Sequence, residues 1–203
     1  LTSDQGCKDS ITKTVVIYPN PVADFTTANV CDGVAASFTD GSSIATGTFT
    51  SLWDFDDGRS STLRSPGNTY AAIGSYDVNL SLTSNFGCTD AVTKTVVIHP
   101  NPVADFTTAN VCDGVAASFT DGSSIATGTF TSAWDFDDTN TSTLTSPSNT
   151  YATIGSYNVK QVLTSDQGCK DSITKTVVIY PNPVADFTTA NVCDGVAASF
   201  TDG

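Results

Sequence analysis

The chain repeats itself every 81 residues, and this period restricts its possible folds more than any other feature. Leu1-Thr2-Ser3 returns as Leu82-Thr83-Ser84 and again as Leu163-Thr164-Ser165, and the six cysteines keep the same step as Cys7, Cys88, Cys169 and Cys31, Cys112, Cys193. Residues 19–99 and 100–180 differ at 17 of 81 positions, while residues 1–41 recur unchanged as 163–203. A 162-residue super-repeat of two slightly different modules fits both facts. The period is too long for one turn of a solenoid and suits a small domain with its own core. The boundary falls at Pro19-Asn20-Pro21 and its copies Pro100-Asn101-Pro102 and Pro181-Asn182-Pro183, where paired prolines make a short, stiff junction. Two complete modules are expected at 19–99 and 100–180. Residues 1–18 then carry the last strands of an incomplete module, and 181–203 the first strands of another. The chain lacks an initiating methionine and starts in mid-pattern, so it reads as a window on a longer array.

Composition selects the fold class. All 21 acidic residues are aspartate, glutamate and methionine are absent, and 33 residues are threonine. The best straight-chain helix formers are therefore missing, and β-branched and turn-forming types dominate. A hydrophobic fraction of 39% is enough for a core, and a charged fraction of 14% is too low for a disordered polyanion. The net charge of −13 argues against nucleic acid or an anionic membrane as partner, and no apolar run is long enough to insert into a bilayer. Strand signals come at short intervals: Ala23 and Phe25, then Val34, Ala36 and Phe38, then Trp53 and Phe55 before the turn Asp56-Asp57-Gly58. Tyr76, Val78, Leu80 and Leu82 alternate with polar residues, and 93–98 closes the module. Six or seven strands in about 80 residues imply a two-sheet sandwich.

These segments carry a resemblance. Trp53-Asp54-Phe55-Asp56-Asp57-Gly58, Ser65-Pro66, Thr69-Tyr70 and Gly74-Ser75-Tyr76-Asp77-Val78-Asn79-Leu80 resemble the polycystic-kidney-disease (PKD) repeat. Pro21-Val22-Ala23-Asp24-Phe25 and Phe38-Thr39-Asp40 fit the same family, and the second module repeats the set through Trp134, Ser146-Pro147, Tyr151 and Tyr157. Two departures stand out. Asp56 and Asp137 occupy a usual glycine position, and Thr139 replaces Gly58 in the second module. The resemblance implies an all-β chain of tandem immunoglobulin-like sandwiches in a linear array, used in extracellular stalks, adhesins and accessory domains of secreted hydrolases. Tandem copies with paired cysteines further resemble the repeat regions of giant Bacteroidota surface adhesins.

Six cysteines without metal-type spacing point to disulfides and an oxidising location. In the sandwich that the resemblance implies, Cys31 precedes the second strand and Cys88 follows the sixth, at opposite ends of one module. A six-residue strand spans about 20 Å, whereas a disulfide needs Cα atoms about 5.5 Å apart. The preferred pairing is therefore between modules, Cys31 with Cys169, leaving Cys88, Cys112, Cys7 and Cys193 for partners outside the window. The alternative pairs Cys31 with Cys88 and Cys112 with Cys169.

No catalytic constellation is evident. The lone histidine, His99, has Tyr180 as its copy, and no serine elbow or repeated base accompanies the hydroxyl residues. Asp56-Asp57 and Asp137-Asp138 read as turn formers, and Trp53 and Trp134 as core. Some relatives bind calcium at the N-terminal end of the module, and the matching positions here are Asn101, Asp121 and Asp166, with Asn20, Asp40 and Asn85 in the first module. Asp9-Ser10-Ile11 and Asp171-Ser172-Ile173 resemble a Bacteroidota O-glycosylation signal at Ser10 and Ser172. One irregularity marks a lateral contact or a bulge: inward Leu80 becomes Gln161 while outward Ser81 becomes Val162. The chain is thus expected to be a non-catalytic mechanical segment, with neighbouring modules or copies of itself in a fibre as partners. The alternative is a carbohydrate- or protein-binding accessory module whose partner is a surface polysaccharide.

Overall fold

The computed structural model describes all 203 residues, and every regular element in it is a β-strand. No helix is long and apolar enough to cross a membrane. The chain divides into two compact units, Leu1–His99 and Pro100–Gly203.

The first unit contains β1 (Phe25–Thr26), β2 (Val30–Cys31), β3 (Ala36–Ser37), β4 (Thr39–Asp40), β5 (Phe49–Asp54), β6 (Ser60–Ser61), β7 (Gly67–Asn68), β8 (Gly74–Ser84) and β9 (Thr89–His99). One layer is a five-stranded sheet in the order β2-β9-β8-β5-β6. The other is made by the pairs β1-β4 and β3-β7. The alternation along β8 delivers the core as expected, with Val78, Leu80 and Leu82 buried and Asp77 and Thr83 facing out. Phe25, Phe38, Trp53, Phe55, Val96 and Ile98 complete the cluster. The Trp53 ring lies 5.0 Å from Phe25 and 5.8 Å from Phe38, and its Nε1–H donates to the Leu63 carbonyl at 2.9 Å. An otherwise costly buried N–H is thereby satisfied.

The second unit repeats this plan with β10 (Phe106–Thr108), β11 (Val111–Cys112), β12 (Ala117–Asp121), β13 (Phe130–Asp135), β14 (Thr141–Ser142), β15 (Ser148–Asn149), β16 (Gly155–Ser165) and β17 (Lys170–Tyr180). Its sheets are β11-β17-β16-β13-β14 and β10-β12-β15. A further pair, β18 (Phe187–Thr189) and β19 (Phe200–Asp202), is joined in antiparallel register. In the first unit, residues ahead of β1 also contribute: the Tyr18 ring stacks on Phe86 at 3.8 Å with 7° between the planes.

The outer side of β9 is paired with β2 only at Ile98 and His99, yet the rest of it does not stand bare. Ahead of the short parallel pairing of Val30 and Cys31 with Ile98 and His99, three side chains tie the opening segment alongside it. The Ala23 N–H donates to Asp90 Oδ2 at 2.8 Å, Lys94 Nζ donates to Asp24 Oδ1 at 2.7 Å and to the Phe25 carbonyl, and the Val97 N–H donates to Asn29 Oδ1 at 2.9 Å. The Lys94 ammonium also lies 5.2 Å from the Phe25 ring centre. Asp171, Lys175 and Asn110 repeat these links in the second unit. Charged and side-chain-bonded edges of this kind resist pairing with stray strands.

The turn after the tryptophan strand explains both departures from the family pattern. Asp56 and Asp137 take φ of 60° and 63°, a left-handed geometry that aspartate tolerates. Gly58 has φ 81°, and Thr139 is held at φ 75° in its place. A β-branched residue there costs on the order of 1–2 kcal/mol. Thr139→Gly is therefore expected to raise the stability of the second module by about 1 kcal/mol, and Gly58→Thr to lower that of the first similarly, both read by urea unfolding.

Candidate functional site

Three loci hold the chemistry that the sequence singles out: the cysteines, a covered carboxylate, and a groove on the sheet edge. Cys31 ends β2, where its neighbour Asp32 donates an N–H to the His99 carbonyl at 2.8 Å. Cys31 and Cys169 are disulfide-bonded, whereas Cys7, Cys88, Cys112 and Cys193 are free thiols. With Cys88 and Cys112 free, neither bridge of the within-module alternative is formed. Cys88 sits in the β8–β9 turn, its N–H bonded to Ser84 Oγ at 3.1 Å and its Sγ 3.9 Å from the Tyr18 carbonyl oxygen.

The covered carboxylate is Asp40, whose side chain is wholly hidden from solvent. Burial alone would push its carboxyl up. Hydrogen bonds from Ser42, including the N–H at 2.9 Å, and the Arg64 Nε–H at 3.0 Å outweigh burial and hold it below the ordinary aspartate value. The second module has Thr145 where Arg64 stands, so its equivalent, Asp121, has no guanidinium. There the fully buried Gln161 donates its amide to Asp121 Oδ1 at 2.8 Å, and Ser123 Oγ donates to the same oxygen at 2.6 Å. This accounts for the polar residue in an inward series. Gln161 fills the position of Leu80 because it supplies from inside the donor that Arg64 supplies from outside. No bulge interrupts the ladder at this point, since Gln161 pairs with both Trp134 and Ile173 in unbroken register. Sequence reading missed the pairing, although the joint exchange of residues 64 and 80 was its visible signal.

The remaining sequence candidates have defined places. Asn85 Oδ1 accepts the Thr48 N–H at 3.0 Å, and Asp166 accompanies it only as a repeat copy, with its own N–H bonded to the Thr129 carbonyl. No group of three or more His, Cys, Asp or Glu side chains comes together to hold a cation. Calcium prefers six to eight oxygen ligands. Asp40 and Asp121 already accept hydrogen bonds, from the Ser42 N–H and Arg64 Nε–H in the first module and from the Gln161 amide and Ser123 hydroxyl in the second. Ser10 and Ser172 are exposed, but Asp171 is already bonded to the Ala104 N–H at 2.7 Å. The paired turn aspartates are structural: Asp57 accepts from Arg59 N–H and Asn68 Nδ2, and Asp56 accepts from Asp77 N–H.

The groove lies beside β5, which pairs with β6 only at Trp53 and Asp54 and leaves 49–52 open on that side. It encloses about 810 Å³ and is lined by Ile44, Phe49, Leu52, Arg64 and several threonines. The equivalent groove of the second module is smaller, about 480 Å³, and has Thr145 in place of Arg64.

The PKD domain family matches residues 18–99 and 99–181. A microbial collagenase of Vibrio alginolyticus is 49% identical over 47 residues, which are 23% of this chain and 6% of that enzyme. The chain thus corresponds to a small part of that relative. Among solved structures, the PKD1 domain of the Vibrio cholerae metalloprotease PrtV is 32% identical, with 39% of this chain and 96% of that chain covered at a TM-score of 0.36. The PKD1 domain of Vibrio anguillarum Epp is 31% identical, covering 39% and 93%, at a TM-score of 0.36.

The two solutions to the covered carboxylate give a thermodynamic cycle. Leu80→Gln alone should cost about 2 kcal/mol, and Arg64→Thr alone about 1 kcal/mol. Together they recreate the arrangement of the second module, so the double variant should lose about 1 kcal/mol less than the two losses added. Urea unfolding of the four proteins checks this. The pH dependence has a definite sign. Asp40, and Asp24 and Asp105 through their bonds to Lys94 and Lys175, are held below the unfolded aspartate value. Their contribution is complete above about pH 4 and is lost as pH falls through their lowered folded values. Arg64→Thr should move the acid transition of the first module to higher pH, followed by tryptophan fluorescence.

Proposed function

The chain belongs to the PKD domain family, and from that membership we propose that it is a structural segment of an extracellular stalk, adhesin or filament. Its modules are proposed to run 19–99 and 100–180, with 1–18 and 181–203 belonging to incomplete neighbours. The observation that carries this reading is the way each module joins its first strands to its last. Ala23, Phe25, Asn29 and Val30 are linked in that order to Asp90, Lys94, Val97 and Ile98. The two segments run parallel, so tension on the ends of a module loads all of these links in shear. They must yield together, whereas a hairpin peeled from one end loses its bonds singly. A load-bearing spacer needs that property, and a catalyst does not.

A covalent link between Cys31 and Cys169 completes the proposal. Both are oxidised while the other four cysteines are free, and disulfides belong to oxidising, extracytoplasmic settings. Force would then bypass the 138 residue steps between them. Kinship with Bacteroidota adhesins and glycosylation at Ser10 and Ser172 belong to the same reading. The second reading, an accessory module that binds polysaccharide or protein for a secreted hydrolase, draws on the collagenase likeness and the open groove beside β5.

Two measurements test the spacer. Non-reducing peptide mapping should return a Cys31–Cys169 peptide with the other four cysteines alkylated, and a Cys31–Cys88 peptide would overturn the link. Single-molecule stretching from the termini should extend the oxidised chain by no more than the residues outside the loop, 1–30 and 170–203, allow, about 210–230 Å. Reductant should release about 450–500 Å, the span of 138 extended residues. Release of the full length without reductant sinks the load path.

A further inference from the structure

The 17 differences between the modules are not scattered. Residues 19–51 and 100–132 are identical, so every change lies at or beyond Leu52. Eight changes occupy outward positions of the five-stranded sheet: Leu52, Ser60, Asp77, Asn79, Ser81, Thr89, Ala91 and His99 become Ala133, Thr141, Asn158, Lys160, Val162, Lys170, Ser172 and Tyr180. Each module still carries eight aspartates and three basic residues. What moves is the position of the cations. The first module places Arg59 and Arg64 outside this face, and the face itself bears Asp54 and Asp77 with no lysine or arginine. The second has lost both arginines and gains Lys160 and Lys170 on the face, both exposed and neither in an ion pair.

The shapes differ in step with the charges. Leu52, Ser81 and Ala91 form one row across β5, β8 and β9, with Leu52 standing 53% exposed. The matching row is Ala133, Val162 and Ser172. Bulk stands on the outer strand of one face and on the middle strand of the other. One face carries two carboxylates and a flank knob, and the other carries Lys160 and Lys170 beside the retained Asp135, with a central knob.

We propose that this face of the first module docks against the same face of the second module on another copy of the chain. The contact is lateral and goes beyond the head-to-tail reading, on which it does not depend. Net charges of one sign oppose such a contact at long range, but screening over about 8 Å at physiological salt confines that repulsion. Complementary charges at contact then choose the partner face.

The test uses the full oxidised chain with its free thiols alkylated, followed by sedimentation velocity across a concentration series. Asp77→Lys alters the face of the first module, and Lys160→Asp with Lys170→Asp alters that of the second. All three positions are exposed, and circular dichroism verifies that folding is unchanged. The unaltered chain should self-associate, and each variant alone should do so at least tenfold more weakly. An equimolar mixture of the two variants should regain the original affinity, because the reversed faces match each other. A monomeric parent chain, variants that associate like the parent, or a mixture no tighter than its components would overturn the proposal.

Discussion

Each module depends on one tryptophan held on every side. Trp53 and Trp134 are almost completely buried, meet two phenylalanines from the opposing layer, and give their only polar atom to a backbone carbonyl of the loop that follows. The ring therefore fixes the spacing of the sheets and the path of the loop together. Truncating such a residue typically costs about 3–5 kcal/mol, a large part of the total stability of a domain this size. Because each tryptophan packs within its own cluster, the modules have separate cores. The short, threonine-rich strands around them need no helix to cover a face.

The layer architecture was legible because it follows from period-two patterning. Val78, Leu80 and Leu82 alternate cleanly, and the structure buries all three. The turn at Asp56 was legible through the special tolerance of aspartate for positive φ. Side-chain links across long sequence separations were not. Lys94 lies 69 residues from the Phe25 carbonyl it holds, and nothing local in Thr93-Lys94-Thr95 reveals that partner. The place of the free and oxidised cysteines is similar, since identical sequence surrounds members of one series.

The covered aspartate illustrates how near-identical modules accommodate a fixed cost. A hidden carboxylate must be paired or hydrogen-bonded. In one module an exposed guanidinium approaches from the rim; in the other an amide replaces a leucine within the core. The second solution gives up apolar burial at position 161, and it frees position 145 from carrying charge. The cation count is then maintained on the outer sheet face, at Lys160 and Lys170. A polar residue in the core and a changed surface are thus parts of one rearrangement.

The pattern of change also separates what bears load from what does not. Every member of the parallel clasp is retained: Ala23, Asp24, Phe25, Asn29, Val30, Asp90, Lys94, Val97 and Ile98 recur as Ala104, Asp105, Phe106, Asn110, Val111, Asp171, Lys175, Val178 and Ile179. Their bonds recur with nearly the same lengths. A charge-assisted hydrogen bond contributes about 1.5–3 kcal/mol and a neutral one about 1 kcal/mol, so losing one link from a set loaded together weakens the whole set. Outward positions of β5 and β8 carry no such link to the opening strands, and residues there can differ without altering the clasp. The face that varies and the clasp that does not therefore share one sheet: within β9, Asp90, Lys94, Val97 and Ile98 are kept while outward Thr89 and Ala91 differ.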